Sequence, residues 1–252
     1  MGLKIRILQS PLLAVLLFTG AAYMPPVAGA EPLSLIVYGA SGRVGSRVIE
    51  EALGRGHKIT AVSRDPDRIG KRQQNLTAVK GDVLDAASVA ELIGGHDAVV
   101  VAVRGAVDKS KKPERTVHRM AVEVIVKVMR EMGPSSPRLI FVGGAGSLEI
   151  KPGVLYADKL SIFIPGFVKQ EIRGHVLTLE YLRTVDDVRW TYISPPKKFK
   201  PGKRTGSYRT GGDQMLKDKK GKSRISMEDY AIALVDEAEN GNFIGQRFSV
   251  AW

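Results

Sequence analysis

Apolar residues in this chain alternate between short continuous runs and longer stretches in which they recur three and four apart, the pattern of buried strands separated by amphipathic helices. The first run, Leu35-Ile-Val-Tyr38, breaks into Gly39-Ala-Ser-Gly42-Arg-Val-Gly45. Val44, Val48, Ile49 and Leu53 then recur at helical spacing until Gly54 and Gly56 stop the helix, and Lys58–Val62 reads as a second strand. This is a complete strand–helix–strand unit. The same reading predicts a short strand over Leu76–Lys80, a helix over Ala86–Ile93, a buried central strand over His96–Val103 and a long helix over Val117–Met132. Arg138–Gly143 is the next strand, Phe167–Val185 the next helix, and Arg189–Ser194 a strand halted by Pro195-Pro196. A hairpin-like basic region follows, and Ser226 is placed to cap a last helix with Asp229 at its third position. The alternation predicts one doubly wound α/β domain with a mostly parallel sheet, its substrate side formed by insertions at 147–168 and 196–224.

The glycine turn carries candidate chemistry. Gly39 suits a backbone conformation closed to other residues, Gly42 lets the main chain approach a pyrophosphate, and Gly45 lets the helix pack close to the strand. The helix N-terminus then faces the anion with unpaired N–H groups, so Ala40, Ser41, Arg43 and Val44 bind through their backbone surroundings rather than through a required charge. Past the second strand, a NAD site usually presents an acid to the ribose, whereas an arginine accommodates a 2′-phosphate. Here stand Ser63 and Arg64, which point to NADP over NAD.

Composition narrows the remaining options. At 252 residues the chain is long enough for a sizeable core, and the absence of cysteine excludes disulfides, thiolate metal sites and cysteine nucleophiles. The four histidines are scattered, with no pair at helical zinc-site spacing, so no metal is expected. Of the formal charge of +12, Lys4 and Arg6 supply two, and much of the rest is local to Lys197–Arg204 and Lys217–Arg224. Such runs are usually solvated loops, and they also suit an anionic surface; no motif for reading nucleic acid accompanies them. Residues 1–30 read as an export signal: a basic start, the apolar run Pro11–Phe18 and a small-residue site at Ala28-Gly-Ala30. The protein is therefore expected outside the cytoplasm, beginning at Glu31, as a monomer or homodimer.

Taken together, Gly39–Gly45, Val62-Ser-Arg64, Gly81-Asp82-Val83, the strand end at Val99–Gly105, Phe141–Gly146, Trp190–Pro196 and Ile225–Ala231 resemble the atypical or extended short-chain dehydrogenase/reductase superfamily. The resemblance is to its NmrA-like and flavin/biliverdin-reductase-like branch, and covers about residues 33–250. It implies that Asp82, with Val83 beside it, meets the adenine, that Val103 and Arg104 lie over the adenosine and pyrophosphate, and that Gly143, Gly144, Ser194, Pro195 and Pro196 flank the nicotinamide. It also implies a small-molecule acceptor, either a carbonyl, a quinone or a flavin, or else a partner protein that holds the dinucleotide without turnover. The superfamily's Tyr-x-x-x-Lys pair is missing. Tyr156-Ala-Asp-Lys159 is one residue short of it. Counting back from Trp190, the lysine position falls near His175 and the tyrosine position near Glu171, four apart on one helix face. Ser147, just past the fifth strand, is a further candidate catalytic group.

Overall fold

Strands buried on both faces need apolar side chains at every position, and the sheet formed by this chain has that character at its centre. The computed structural model describes residues 31–70 and 73–252, and Glu31–Trp252 gathers into one compact unit. In chain order the elements are β1 (Ser34–Tyr38), α1 (Gly45–Gly54), β2 (Lys58–Ser63), β3 (Leu76–Lys80), α2 (Ala86–Ile93), β4 (Ala98–Val101), α3 (Val117–Met132) and β5 (Arg138–Val142). A small antiparallel pair, β6 (Glu149–Lys151) and β7 (Val154–Leu155), precedes α4 (Gly166–Leu182) and β8 (Trp190–Ser194). The chain ends with β9 (Lys198–Lys200), β10 (Arg209–Gly211), β11 (Arg224–Ser226), α5 (Met227–Asn240) and β12 (Gln246–Ala251). The export signal expected over residues 1–30 lies outside the described residues.

The main sheet runs β10-β12-β8-β5-β4-β1-β2-β3, and every pairing in it is parallel except that of β10 with β12. From β1 the chain builds outward through β2 and β3 on one side, then returns to place β4 on the other. That reversal opens a crevice beyond the carboxyl ends of β1 and β4. Side chains alternate across the sheet: Leu35, Val37 and Val100 face α1 and α5, whereas Ile36, Tyr38, Val99 and Val101 face the layer of α2, α3 and α4. This doubly wound arrangement is the one the alternation predicts.

Three expectations need correction. The basic region is not a hairpin: β9 pairs in parallel with β11, Phe199 opposite Ile225, while β10 joins the sheet edge antiparallel to β12, Thr210 opposite Val250. Short, exposed, lysine-rich strands carry no register in their pattern, so hairpin and edge pairing look alike in sequence. The closing strand β12 was not anticipated, although Phe248 and Val250 alternate and Gly245 precedes it. The central strand is shorter than 96–103, because His96 turns aside to bond Thr60 Oγ1 at 2.8 Å and Ala102 and Val103 leave the sheet to line the crevice. At α5 the expected cap forms, with Ser226 Oγ accepting from Asp229 N at 3.0 Å. The Asp229 carboxylate instead accepts from Thr205 N, Gly206 N and Trp252 Nε1, tying the basic loop and the C-terminus to the helix.

Candidate functional site

The crevice at the reversal is a cleft of about 510 Å³ whose walls begin at the glycine turn. Gly39 has φ +81°, and a Cβ there would stand 2.5 Å from the Ala102 carbonyl oxygen, so glycine is required twice over. Gly42 N donates to Gly39 O at 2.9 Å to close the turn, and a Cβ on Gly42 would lie 3.0 Å from that same oxygen. A Cβ on Gly45 would overlap Gly39 O, which is the close helix-on-turn packing expected of the third glycine. Helix α1 has no side-chain cap and no acid in its first turn, leaving its positive end free for an anion. The dinucleotide pyrophosphate fits this cradle, whose close approach to the end of β4 leaves no room for a side chain at Gly39.

Gly39, Ser41 and Gly42 line the cleft; Ala40 is buried behind them, Gly45 is buried in the packing, and Arg43 and Val44 stand outside the lining. At the end of β2, Ser63 and Arg64 both line it, and exposed Arg64 has no ion-pair partner among the described residues. Arg68, which the sequence reading missed, joins the wall from the turn that Asp65-Pro66 begins. Asp82 and Val83 form the far wall. Asp82 Oδ1 accepts from Leu84 N at 3.0 Å in a local turn, which leaves Oδ2 for another donor. Val103, Arg104 and Val117 close the cleft on the side of α3.

The remaining predicted residues gather around α4 instead. Glu171 Oε1 accepts from Gly105 N at 2.6 Å, one residue beyond the cleft wall at Arg104. His175 packs its ring on Gly144, where a Cβ would come within 2.7 Å of it, and its Nδ1 lies 3.4 Å from Tyr192 Oη. Tyr192 Oη donates to His175 O at 2.9 Å and accepts from Gly144 N at 3.2 Å, and burial holds the phenol well above its ordinary range. Ser147, expected as a hydroxyl open to substrate, is buried: its Oγ donates to Gly144 O at 3.2 Å and stands 3.5 Å from Ser194 Oγ. Gly143, Ser194, Pro195 and Pro196 are likewise buried, and none of the four lines the cleft. Ser194 ends β8 inside the sheet, opposite Ser249 of β12.

His118 was not singled out by sequence, because on α3 it falls within a helical apolar pattern. The fold stacks its ring on His175 with centroids 3.8 Å apart and 10° between planes. Its Nδ1 lies 3.7 Å from Glu171 Oε2, and neither ring nitrogen has a hydrogen-bond partner among the described residues. Burial keeps His118 well below the usual imidazole range, while burial and the Arg104 charge lower His175 to about 4; burial raises Glu171. Both rings are neutral at pH 7. Ligand atoms of His118, Glu171 and His175 lie within 4.8 Å of one another. A metal ion shared by the rings would nevertheless sit about half their 3.8 Å separation out of each plane, whereas imidazole lone pairs lie in the plane. The stacked rings therefore do not converge on one ion, and no hydrogen bond joins the three side chains among the described residues.

With this geometry described, comparison with known proteins assigns the class. The profile of the NAD(P)H-binding family matches residues 39–240. Over 218 residues the chain is 34% identical to the uncharacterized protein YwnB of Bacillus subtilis, covering 85% of this chain and 96% of that one. Among solved structures, a candidate exported protein from Burkholderia pseudomallei is 37% identical with a TM-score of 0.73, covering 87% of this chain and all of the other. A candidate NADH-flavin reductase from Streptococcus pneumoniae is 32% identical with a TM-score of 0.74, covering 87% of this chain and 99% of the other. The chain belongs to the NAD(P)H-binding family, within the atypical short-chain dehydrogenase/reductase superfamily. It has the oxidoreductase-like fold of that group.

Proposed function

We propose that this protein is an NADP-dependent oxidoreductase that moves a hydride between the nicotinamide and a small carbonyl, quinone or flavin-like acceptor. The observation that carries the reading is the cleft itself, in which an uncapped helix end and a glycine cradle lead to unpaired Arg64 where a NAD site would present an acid. When bound, the cofactor supplies the hydride. The chain's own residues then bind and protonate. Arg64 and Arg68 bind the 2′-phosphate, Gly39 and Gly42 admit the pyrophosphate, and Asp82 Oδ2 accepts from the adenine amino group. Glu171, anchored through Oε1 by Gly105 N and pushed toward its protonated form by burial, delivers a proton from Oε2 to the acceptor. The stacked rings of His175 and His118 lie beside this carboxyl and contribute to the burial that favours its protonated form.

NADPH consumption with a panel of flavins, quinones and aldehydes tests this directly. Glu171→Gln should lower kcat by about a hundredfold, the lower end of general-acid effects, with the NADPH Kd unchanged. A second reading, a redox sensor that binds the dinucleotide without turnover, is favoured by the absent Tyr-x-x-x-Lys pair and by burial of Ser147. Tight NADPH binding with no consumption across the panel would establish it. We further propose export, with the mature chain starting at Glu31; N-terminal sequencing of the fractionated protein checks this. Among the described residues no helix is long and apolar enough to cross a membrane.

A further inference from the structure

The approach to α4 exposes large apolar side chains to an unusual degree. Ile162 is 81% exposed, Phe163 89% and Phe167 64%, three within six residues, whereas the other large apolar groups among the described residues are mostly interior. Isolated exposed apolar residues are ordinary, but a contiguous group marks a contact surface. The segment is held in place rather than trailing: Lys169 Nζ donates to Ile162 O at 3.2 Å, and buried Gln170 donates to Lys112 O at 2.9 Å, locking the 107–112 loop against the helix. Lys111 reaches the same spot, its Cδ being 3.5 Å from where a Cβ on Gly166 would be.

The unpaired charge around this patch is almost entirely positive. Lys109, Lys111, Lys112, Lys159 and Lys169 surround it, and none of them has a carboxylate ion-pair partner among the described residues. The nearby acids are already taken, Asp108 by Arg115 at 2.8 Å and Asp158 by Arg173 at 3.8 Å, leaving Glu114 as the one acid of these two segments outside an ion pair. A second copy is a poor occupant. A two-fold contact would set each patch against itself and bring these lysines face to face with nothing to neutralise them. An anionic lipid surface is complementary on both counts: aromatic and aliphatic side chains enter the headgroup boundary while lysine stems lie along it with their ammonium groups among the phosphates.

We infer that the face built from Ile162, Phe163, Phe167 and the lysines of the 107–112 loop and α4 docks the protein on an anionic membrane surface. This face is distinct from the basic loops at 196–224, and the inference does not depend on the dinucleotide reading. Phe163→Trp in the full chain reads the patch itself, whatever residues 1–30 contribute, as a difference spectrum against the parent with its two tryptophans. With phosphatidylglycerol vesicles its emission should shift to the blue and be quenched by brominated acyl chains. Phosphatidylcholine vesicles should leave it nearly unchanged, and raised salt should reverse the effect. The double variant Lys111→Glu/Lys112→Glu, carried with Phe163→Trp, should weaken the vesicle titration by about tenfold or more, since each lysine contributes separately at such a surface. Thermal melts confirm that each variant is folded, and exposure of all the altered side chains makes that the expected result. An unshifted spectrum with anionic vesicles would overturn the inference. So would a dimer, seen by sedimentation equilibrium, that Phe163→Ser converts to monomer, or a shift produced only by an acidic protein and not by lipid.

Discussion

The two ends of the crevice are built on different principles. At the adenosine end, position is set by the backbone of the glycine turn, and the polar groups it displays, Arg64, Arg68 and one oxygen of Asp82, are left unspent and face the opening. In the cluster around α4, polar groups are mostly paired inside the protein: Tyr192 bridges Gly144 and His175 and Ser147 bonds Gly144, while His118 stacks on His175 with neither ring nitrogen bonded among the described residues. The first end is prepared for a ligand whose shape is fixed in advance. The second is a largely buried cluster in which Glu171 keeps one oxygen, Oε2, outside any hydrogen bond among the described residues.

The sharpest way to break this contrast is at Gly39, where the backbone argument is strongest. Gly39→Val places a β-branched residue at φ +81° with its Cβ 2.5 Å from Ala102 O, a backbone atom at the end of β4 that cannot swing away. The cost should be about 3–5 kcal/mol, from conformational strain plus the displaced strand end. Urea denaturation measures it, and NADPH titration of the remaining folded protein should show no binding. Gly42→Ala, whose Cβ meets only Gly39 O at 3.0 Å, should lose affinity with a much smaller loss of stability. Equal destabilisation by the two would show that the turn is not graded in this way.

Why the first end was legible in sequence and the second was not follows from where each gets its specificity. Gly39, Gly42, Gly45, Ser63 and Arg64 are local to one strand–helix–strand unit, so spacing alone positions them, and the turn and the adjoining strands appear at the expected residues. The α4 cluster is assembled from α3, α4, β8 and the loop after β5, which no short-range pattern relates. Glu171 and His175 could be placed by counting along α4; their partner His118, 53 residues before Glu171 and 57 before His175, could not. Burial of Ser147 and of Ser194–Pro196 depends on contacts between segments far apart in sequence, as where Ser194 pairs with Ser249 of β12, a strand the pattern does not announce. Arg68 was hidden for a smaller reason: a single turn of chain after Asp65-Pro66 swings it back to the cleft.

Acidification tests the second end. His175 has its protonation depressed from 6.5 to about 4 in the fold, and His118 is depressed as well, so between those values the unfolded chain binds more protons than the native one. Stability is therefore complete above about pH 6.5 and lost as pH falls toward 4. Glu171 works against this, since its raised value lets the folded state take up a proton before the unfolded one, restoring part of the loss. For His175 alone the change from 6.5 to about 4 corresponds to about 3 kcal/mol, part of which Glu171 offsets. Urea midpoints across this range should flatten in His175→Phe. A slope unchanged by that substitution would mean the histidines are not held neutral.

The smallest effect belongs to Arg64, and it bears most directly on the adenosine end. Its guanidinium is exposed and unpaired, so removing it exposes no buried partner and should not alter folding. An exposed charge is screened, which places its contribution to a phosphate at the low end of charge-assisted hydrogen bonds, about 1.5 kcal/mol. Arg64→Ala should then weaken NADPH roughly tenfold and leave NADH nearly unaffected, because only the former carries the 2′-phosphate. Arg68 and Arg104 also line the cleft, which is why the loss is not larger. Raising ionic strength should shrink the difference between parent and variant. If both cofactors weaken equally, Arg64 acts on something the two share, such as the pyrophosphate or the ribose; if neither does, Arg68 is the residue that selects NADP, and Arg68→Ala should show the discrimination instead.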